Sequence, residues 1–196
     1  MFDKQSLIRF FDSLAPGWDE AQILDHDVIG HILDNAGVSA GNSVLDVASG
    51  TGVLVPFYLE RKVSNVTAVD ISPEMVNIGI KNHPEPEVTF ICGDVETLSF
   101  DRKFDRVIVF NSFPHFAEPE SLIRLLTGLL NPGGVLTIAH SMSREELDHH
   151  HAGAAHGVSV RLLPAEELAG IVSKYLEVTT AIDNDEMYQI VAFKKS

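Results

Sequence analysis

The first chemical signal in this chain is the run Val44-Leu45-Asp46-Val47-Ala48-Ser49-Gly50-Thr51-Gly52. An apolar stretch gives way to small residues at 48, 50 and 52, and a strand-to-helix bend of that kind lets backbone approach a bound cofactor closely. Eighteen residues beyond Gly52, a second apolar run ends in Asp70. A carboxylate there can accept hydrogen bonds from both hydroxyls of a ribose. A third run ends at Cys92-Gly93-Asp94-Val95 and places another acid where it can accept from an adenine amino group. Taken singly these features are weak, because glycine turns and strand-end acids are often purely structural. Their order and spacing together point to a nucleoside held at three successive strand tips.

A second signal is imidazole. The apolar run 106–110 continues into Asn111-Ser112-Phe113-Pro114-His115-Phe116, and the run 135–140 ends at His140-Ser141-Met142. Ligands of open α/β sheets sit beyond the carboxyl ends of the strands, so His115 and His140 fall on the rim that faces the reaction. Ser143-Arg144-Glu145-Glu146 reads as a capping box. On the helix it would start, Leu147 points inward and His151, four residues on, shares its face. Neighbouring helical residues diverge by about 100°, so His149, His150 and His151 cannot all reach one point.

These residues need a frame. The apolar runs 44–47, 66–69, 88–92, 106–110 and 135–140 alternate with helical stretches at 53–60, 73–82 and 119–130, which predicts a parallel sheet covered on both faces. Two further helices are expected before the first run, at 3–14 and 21–36, and one after the last, at 164–175. The runs 176–182 and 187–194 are joined only by Asp183-Asn184-Asp185-Glu186, too short for a crossover, so they form an antiparallel hairpin.

The 196 residues suit a single domain of ordinary size. Fourteen basic against 28 acidic residues give a net charge of −14, which repels a phosphate backbone and argues against nucleic acid as a partner. Cys92 is the only cysteine, so no internal disulfide or Cys-based zinc knuckle can form, and a cytoplasmic setting is expected. No apolar run approaches the roughly 20 residues of a membrane span.

Taken together, the bend, the strand-end acids and the alternation resemble the class I S-adenosylmethionine (SAM)-dependent methyltransferases, from about Phe10 to Lys194. The terminal hairpin is also a trait of that family. At residue 48 many members carry glycine and others, as here, alanine. The resemblance implies an α/β fold: a Rossmann-like, doubly wound, seven-stranded mixed sheet with helices on both faces. It implies one domain over 1–196, with lid helices in 1–40 and a His-bearing segment and helix over the acceptor site in 141–175. Asp46, Ala48, Gly50 and Gly52 would surround the amino-acid part of SAM, and Asp70 would hold the ribose. Ile71 and Met75 would flank the adenine, Asp94 and Val95 its edge, and Asn111 the methionine end.

The expected activity is one-step methyl transfer to a small-molecule acceptor, with the oligomeric state left open. His115 or His140 would act as general base. A sharper expectation has His115, His140 and His151 holding a divalent metal (zinc, iron or nickel) beside the methyl group, against the alternative of solvated or hydrogen-bonded histidines over the site. Phe10 and Phe11 are expected to pack the first helix onto the core, with Trp18 either packing or closing the pocket. Two other functions compete. An NAD(P)-dependent oxidoreductase shares the first three elements, but the dinucleotide fingerprint wants a small residue where this chain has Val55. A SAM- or metal-binding regulatory protein without turnover is the other.

Overall fold

Seven strands form one sheet in the order β3-β2-β1-β4-β5-β7-β6 in the computed structural model, which describes residues 3–147 and 158–195. These are β1 (Ser43–Val47), β2 (Asn65–Asp70), β3 (Val88–Cys92), β4 (Phe104–Phe110), β5 (Leu130–His140), β6 (Glu177–Asp183) and β7 (Tyr188–Phe193). The first five run parallel, and β7 lies antiparallel to both β5 and β6. The expected doubly wound mixed sheet with a terminal antiparallel hairpin is therefore present.

The strands are almost continuously apolar because both faces are buried. Val44, Val66, Ala68 and Ile108 pack with Ile29, Ile32 and Leu33 of α3 (His26–Asn35) and with Phe57 and Tyr58 of α4 (Val55–Glu60). On the opposite face, Leu45, Val47, Val107, Val109 and Ile138 pack against α6 (Pro119–Leu129) and α7 (Ala165–Val172). α5 (Pro73–Asn82) links β2 to β3. Strand order reverses at β1, since β2 lies on one side of it and β4 on the other. Val47 pairs with both Val69 and Val109, so these strand tips end level and leave a crevice above them.

Two boundaries differ from the expectation. The helix expected at 21–36 is divided: α2 (Trp18–Ala21) follows a 3-10 turn at Ala15–Gly17, the chain is extended at Gln22, and α3 starts at His26. Asp25 Oδ1 accepts the Asp27 and Val28 amides at 3.0 Å each, and this cap outcompetes continuation of the apolar periodicity. Ile23 is consequently 99% exposed. The second difference is in β5, which begins at Leu130, not Val135. Leu130 pairs with Phe104, and an irregularity between Phe104 and Arg106 absorbs the offset around Gly133 (φ 72°). None of the helices among the described residues is long and apolar enough to cross a membrane.

Candidate functional site

A cavity of about 680 Å³ opens above the strand tips, lined by residues from the bend after β1, the ends of β2 and β3, the segment after β4, and the N-terminal helices. The bend has an unusual backbone. Ala48, Gly50 and Gly52 all take positive φ (54°, 56° and 88°), and Asn111 after β4 does the same at 51°. The alanine therefore sits in a conformation that costs a non-glycine residue about 1 kcal/mol.

Asp70 ties the bend to β2. Its Oδ2 accepts the Gly50 amide at 2.8 Å and its Oδ1 accepts the Ser72 amide at 2.8 Å, while the residue remains part of the cavity wall. Burial pushes its carboxyl upward; the Ser72 and Gly50 amides oppose that shift and the nearby Asp12 charge adds to it. Asp46 lies beneath the bend, 2% exposed, and is absent from the residues lining the cavity. Burial, and then the charge of Asp70, raise its carboxyl to about 8, against the opposing influence of the Tyr58 hydroxyl.

The sequence-predicted cofactor residues divide by placement. Ala48, Gly50, Asp70, Ile71, Met75, Asp94, Val95 and Asn111 line the cavity. Gly52 does not, and a Cβ there would stand 2.7 Å from Phe90 Cζ and 2.9 Å from His83 Cδ2, so its missing side chain serves packing behind the bend. Asn111 contributes backbone more than side chain, because its carboxamide donates to Ser141 Oγ (3.1 Å) and accepts from the Ser141 amide (3.0 Å).

The N-terminal helices do more than pack on the core. α1 (Lys4–Leu14) and α2 supply Leu7, Phe11 and Trp18 to the cavity wall. Three side chains fasten them to the three loops at the site. Lys4 Nζ pairs with Asp94 and with Glu96 (2.8 Å) after β3. Asp12 accepts from Ser72 Oγ at 2.5 Å after β2. Asp19 accepts from Thr51 Oγ1 after β1 and from Asn82 Nδ2 at 3.0 Å. Phe11 meets Trp18 edge-on at 5.9 Å and the His115 ring at 5.0 Å. Nothing in the sequence marked Lys4, Asp12 or Asp19, since each partner lies 32 to 92 residues away.

The histidines occupy different surroundings. His115 lines the cavity, with its Nδ1 2.8 Å from the Val158 carbonyl oxygen. His140 is fully buried in the sheet, its ring edge-on to Tyr188 at 6.1 Å, and does not line the cavity. His151 lies outside the described residues. No group of three or more His, Cys, Asp or Glu side chains placed to hold a metal occurs among the described residues. The expected His115–His140–His151 set thus gains no support, and His140 is corrected from a rim residue to a core residue: the alternation that buries Leu136 and Ile138 carries His140 onto the same covered face.

SAM would find matching chemistry in this cavity. It is a cation joined to a flat aromatic base, and among the described residues the wall offers Asp3, Asp70, Asp94, Glu96 and Glu118 against a single Lys4, with Ile71, Met75 and Val95 as apolar neighbours. The Ser49 hydroxyl is buried without a hydrogen-bond partner.

The pattern that defines the methyltransferase domain family matches residues 44–134. Malonyl-[acyl-carrier protein] O-methyltransferase of Priestia megaterium is 29% identical over 140 residues, covering 69% of this chain and 51% of the relative. Demethylmenaquinone methyltransferase of Renibacterium salmoninarum is 31% identical over 139 residues, covering 66% and 56%. The chain therefore spans about half the length of the curated relatives it matches. Among solved structures, N-methyltransferase NodS from Bradyrhizobium japonicum, in complex with S-adenosyl-L-homocysteine (SAH), superposes with a TM-score of 0.74 at 14% identity over 98% of each chain, a likeness of fold.

Proposed function

Since the chain belongs to the class I SAM-dependent methyltransferases, we propose that it transfers a methyl group from SAM to a small, uncharged acceptor. The observation that carries this reading is the double grip of Asp70 on Gly50 and Ser72 at a cavity wall, which holds the bend in shape and leaves carboxylate lone pairs for a ribose. SAM supplies an electrophilic methyl carbon on a sulfonium. Ile71, Met75 and Val95, in the cavity wall, would flank the base and Asp94 its edge, and the backbone at Asn111, with its positive φ, would face the methionine end.

His115 is the base in this reading. A carbonyl oxygen only accepts, so the Nδ1–Val158 bond puts the proton on Nδ1 and makes Nε2 the basic nitrogen of the neutral ring. His115 then takes the acceptor's proton as the new bond forms, while Phe11, Trp18 and Phe116 exclude water and orient the acceptor. Proximity and orientation supply most of the acceleration.

The relatives are named for a carboxylate on a carrier protein and for a quinone precursor. The acid-rich wall, whose only lysine is paired, favours a neutral hydroxyl-bearing acceptor over a carboxylate. The test is SAH release with a panel of phenols, quinols, carboxylic acids and amines. Turnover confined to neutral hydroxyl compounds is expected. Turnover with carboxylates alone would reverse the acceptor assignment, and SAM binding without turnover on any class would favour a regulatory role.

A further inference from the structure

We propose that Glu118 selects the acceptor: its carboxylate accepts a hydrogen bond from a second hydroxyl on the ring that His115 deprotonates, so that the substrates are aromatic diols. This deepens the methyl-transfer reading above and rests on it.

Among the described residues five acids line the cavity, and four of them are committed to partners within the chain. Asp3 caps α1 through the Gln5 (3.3 Å) and Ser6 (3.1 Å) amides. Asp70 holds the Gly50 and Ser72 amides at 2.8 Å each. Asp94 accepts from Lys4 and from the Glu96 amide (3.0 Å), and Glu96 accepts from Lys4 at 2.8 Å. The Glu118 carboxylate has neither hydrogen bond nor ion pair among the described residues. Glu118 stands at the N-cap of α6, where a side chain ordinarily bonds the first helix amides, yet it makes no capping bond. Pro119 opens the helix and removes one of the amides a cap would serve. The carboxylate is thus left to an exposed part of the cavity wall.

Topology sets which ligand it meets. Asp70 and Asp94 lie at the ends of β2 and β3, on the side assigned to the nucleoside, whereas Glu118 follows β4, three residues after His115. Three residues of chain keep the two Cα atoms within about 11 Å of each other. Phe116 and Ala117 between them line the wall, and Phe11 stands edge-on to both the His115 ring (5.0 Å) and Trp18 (5.9 Å). Aromatic side chains so placed suit a flat ring.

A carboxylate offers lone pairs only, so the group it meets must donate. In the transfer, the proton of one hydroxyl passes to His115 Nε2 as its oxygen bonds to the methyl carbon and the carbon–sulfur bond breaks, leaving SAH. The second hydroxyl stays intact, its O–H directed at Glu118.

The experiment is steady-state SAH release by the full chain with the benzenediols and with the matching cresols, in which a methyl replaces one hydroxyl. Wild type is compared with Glu118→Gln, Glu118→Ala and Glu120→Gln. Wild type is expected to favour a diol over its cresol by about 10-fold in kcat/KM, chiefly through KM, and both Glu118 variants to abolish that preference. Glu120→Gln removes a charge from the same helix turn, on a side chain bound to Lys174 and Tyr175, and is expected to keep the wild-type ratio. The proposal is overturned if wild type treats diol and cresol alike, if neither Glu118 variant changes the ratio, or if Glu120→Gln changes it equally. An aminomethylphenol preferred over every diol, with the preference lost in Glu118→Gln, would also overturn it and assign the carboxylate to an ammonium. Wild type that turns over no hydroxyl compound would overturn the acceptor reading itself, and this proposal with it.

Discussion

Gly50 donates its backbone N–H to Asp70 Oδ2 at 2.8 Å, so the acid that ends β2 grips the bend that follows β1. The other oxygen of the same carboxylate caps the turn into α5 through Ser72. One side chain thus sets the shape of the bend and presents charge to the cavity.

Asp70→Ala strands two amides near the site, each costing about 1–3 kcal/mol where it is buried. SAM binding should fall at least ~100-fold, with a lowered melting temperature. Asp70→Asn keeps one acceptor oxygen but turns an NH₂ group toward an amide, and should lie between wild type and Asp70→Ala. Calorimetry and thermal melts on the three proteins check both effects.

His115 and His140 should separate cleanly. His115→Ala is expected to lower kcat by about 10²–10⁴ while SAM affinity holds. His140→Ala, which empties a buried position beside Tyr188, should act on stability, by about 2–4 kcal/mol. Steady-state kinetics with denaturant unfolding distinguishes the two. A His140→Ala protein of normal stability but without turnover would contradict the assignment.

Asp46 gives the fold a pH dependence of defined sign. Its carboxyl is raised from 3.8 to about 8, first by burial and then by the Asp70 charge, so the folded state holds this proton more tightly than the unfolded chain. The contribution is fully present below about 4 and is lost as pH rises through about 8. Asp46→Asn removes the charge at every pH. Relative to this variant, wild type should lose roughly 4 °C or more of melting temperature between pH 5.5 and pH 9. Parallel melting curves across that range would refute the assignment.

The positive-φ residues of the bend should respond in opposite directions. Gly52→Ala forces a Cβ into Phe90 and His83 at φ 88° and should cost about 2–4 kcal/mol. Ala48→Gly relieves φ 54° and should be neutral or stabilising by up to about 1 kcal/mol. Chemical denaturation of both variants measures this.

The sheet was readable in the sequence because strands buried on both faces are short apolar runs, and their spacing leaves room for crossover helices. The bend and strand-end acids were readable for the same reason, since they follow the runs directly. What the sequence hid depends on contacts distant along the chain. The clamps from Lys4, Asp12 and Asp19 join the first 20 residues to three separate loops. His140 and His115 both follow strands in the sequence, yet strand alternation buries one and a 3-10 turn at Phe113–His115 brings the other to the cavity. The misplaced start of α3 arose because periodicity counted Ile23 and Leu24, while the Asp25 cap decided the helix.

A SAM site above the strand tips can be read out by equilibrium dialysis with methyl-labelled SAM. Retention of one equivalent per chain, displaced by SAH and unaffected by excess NAD or NADP, is the predicted result. No retention by folded protein, or displacement by the nicotinamide nucleotides instead of SAH, would contradict it.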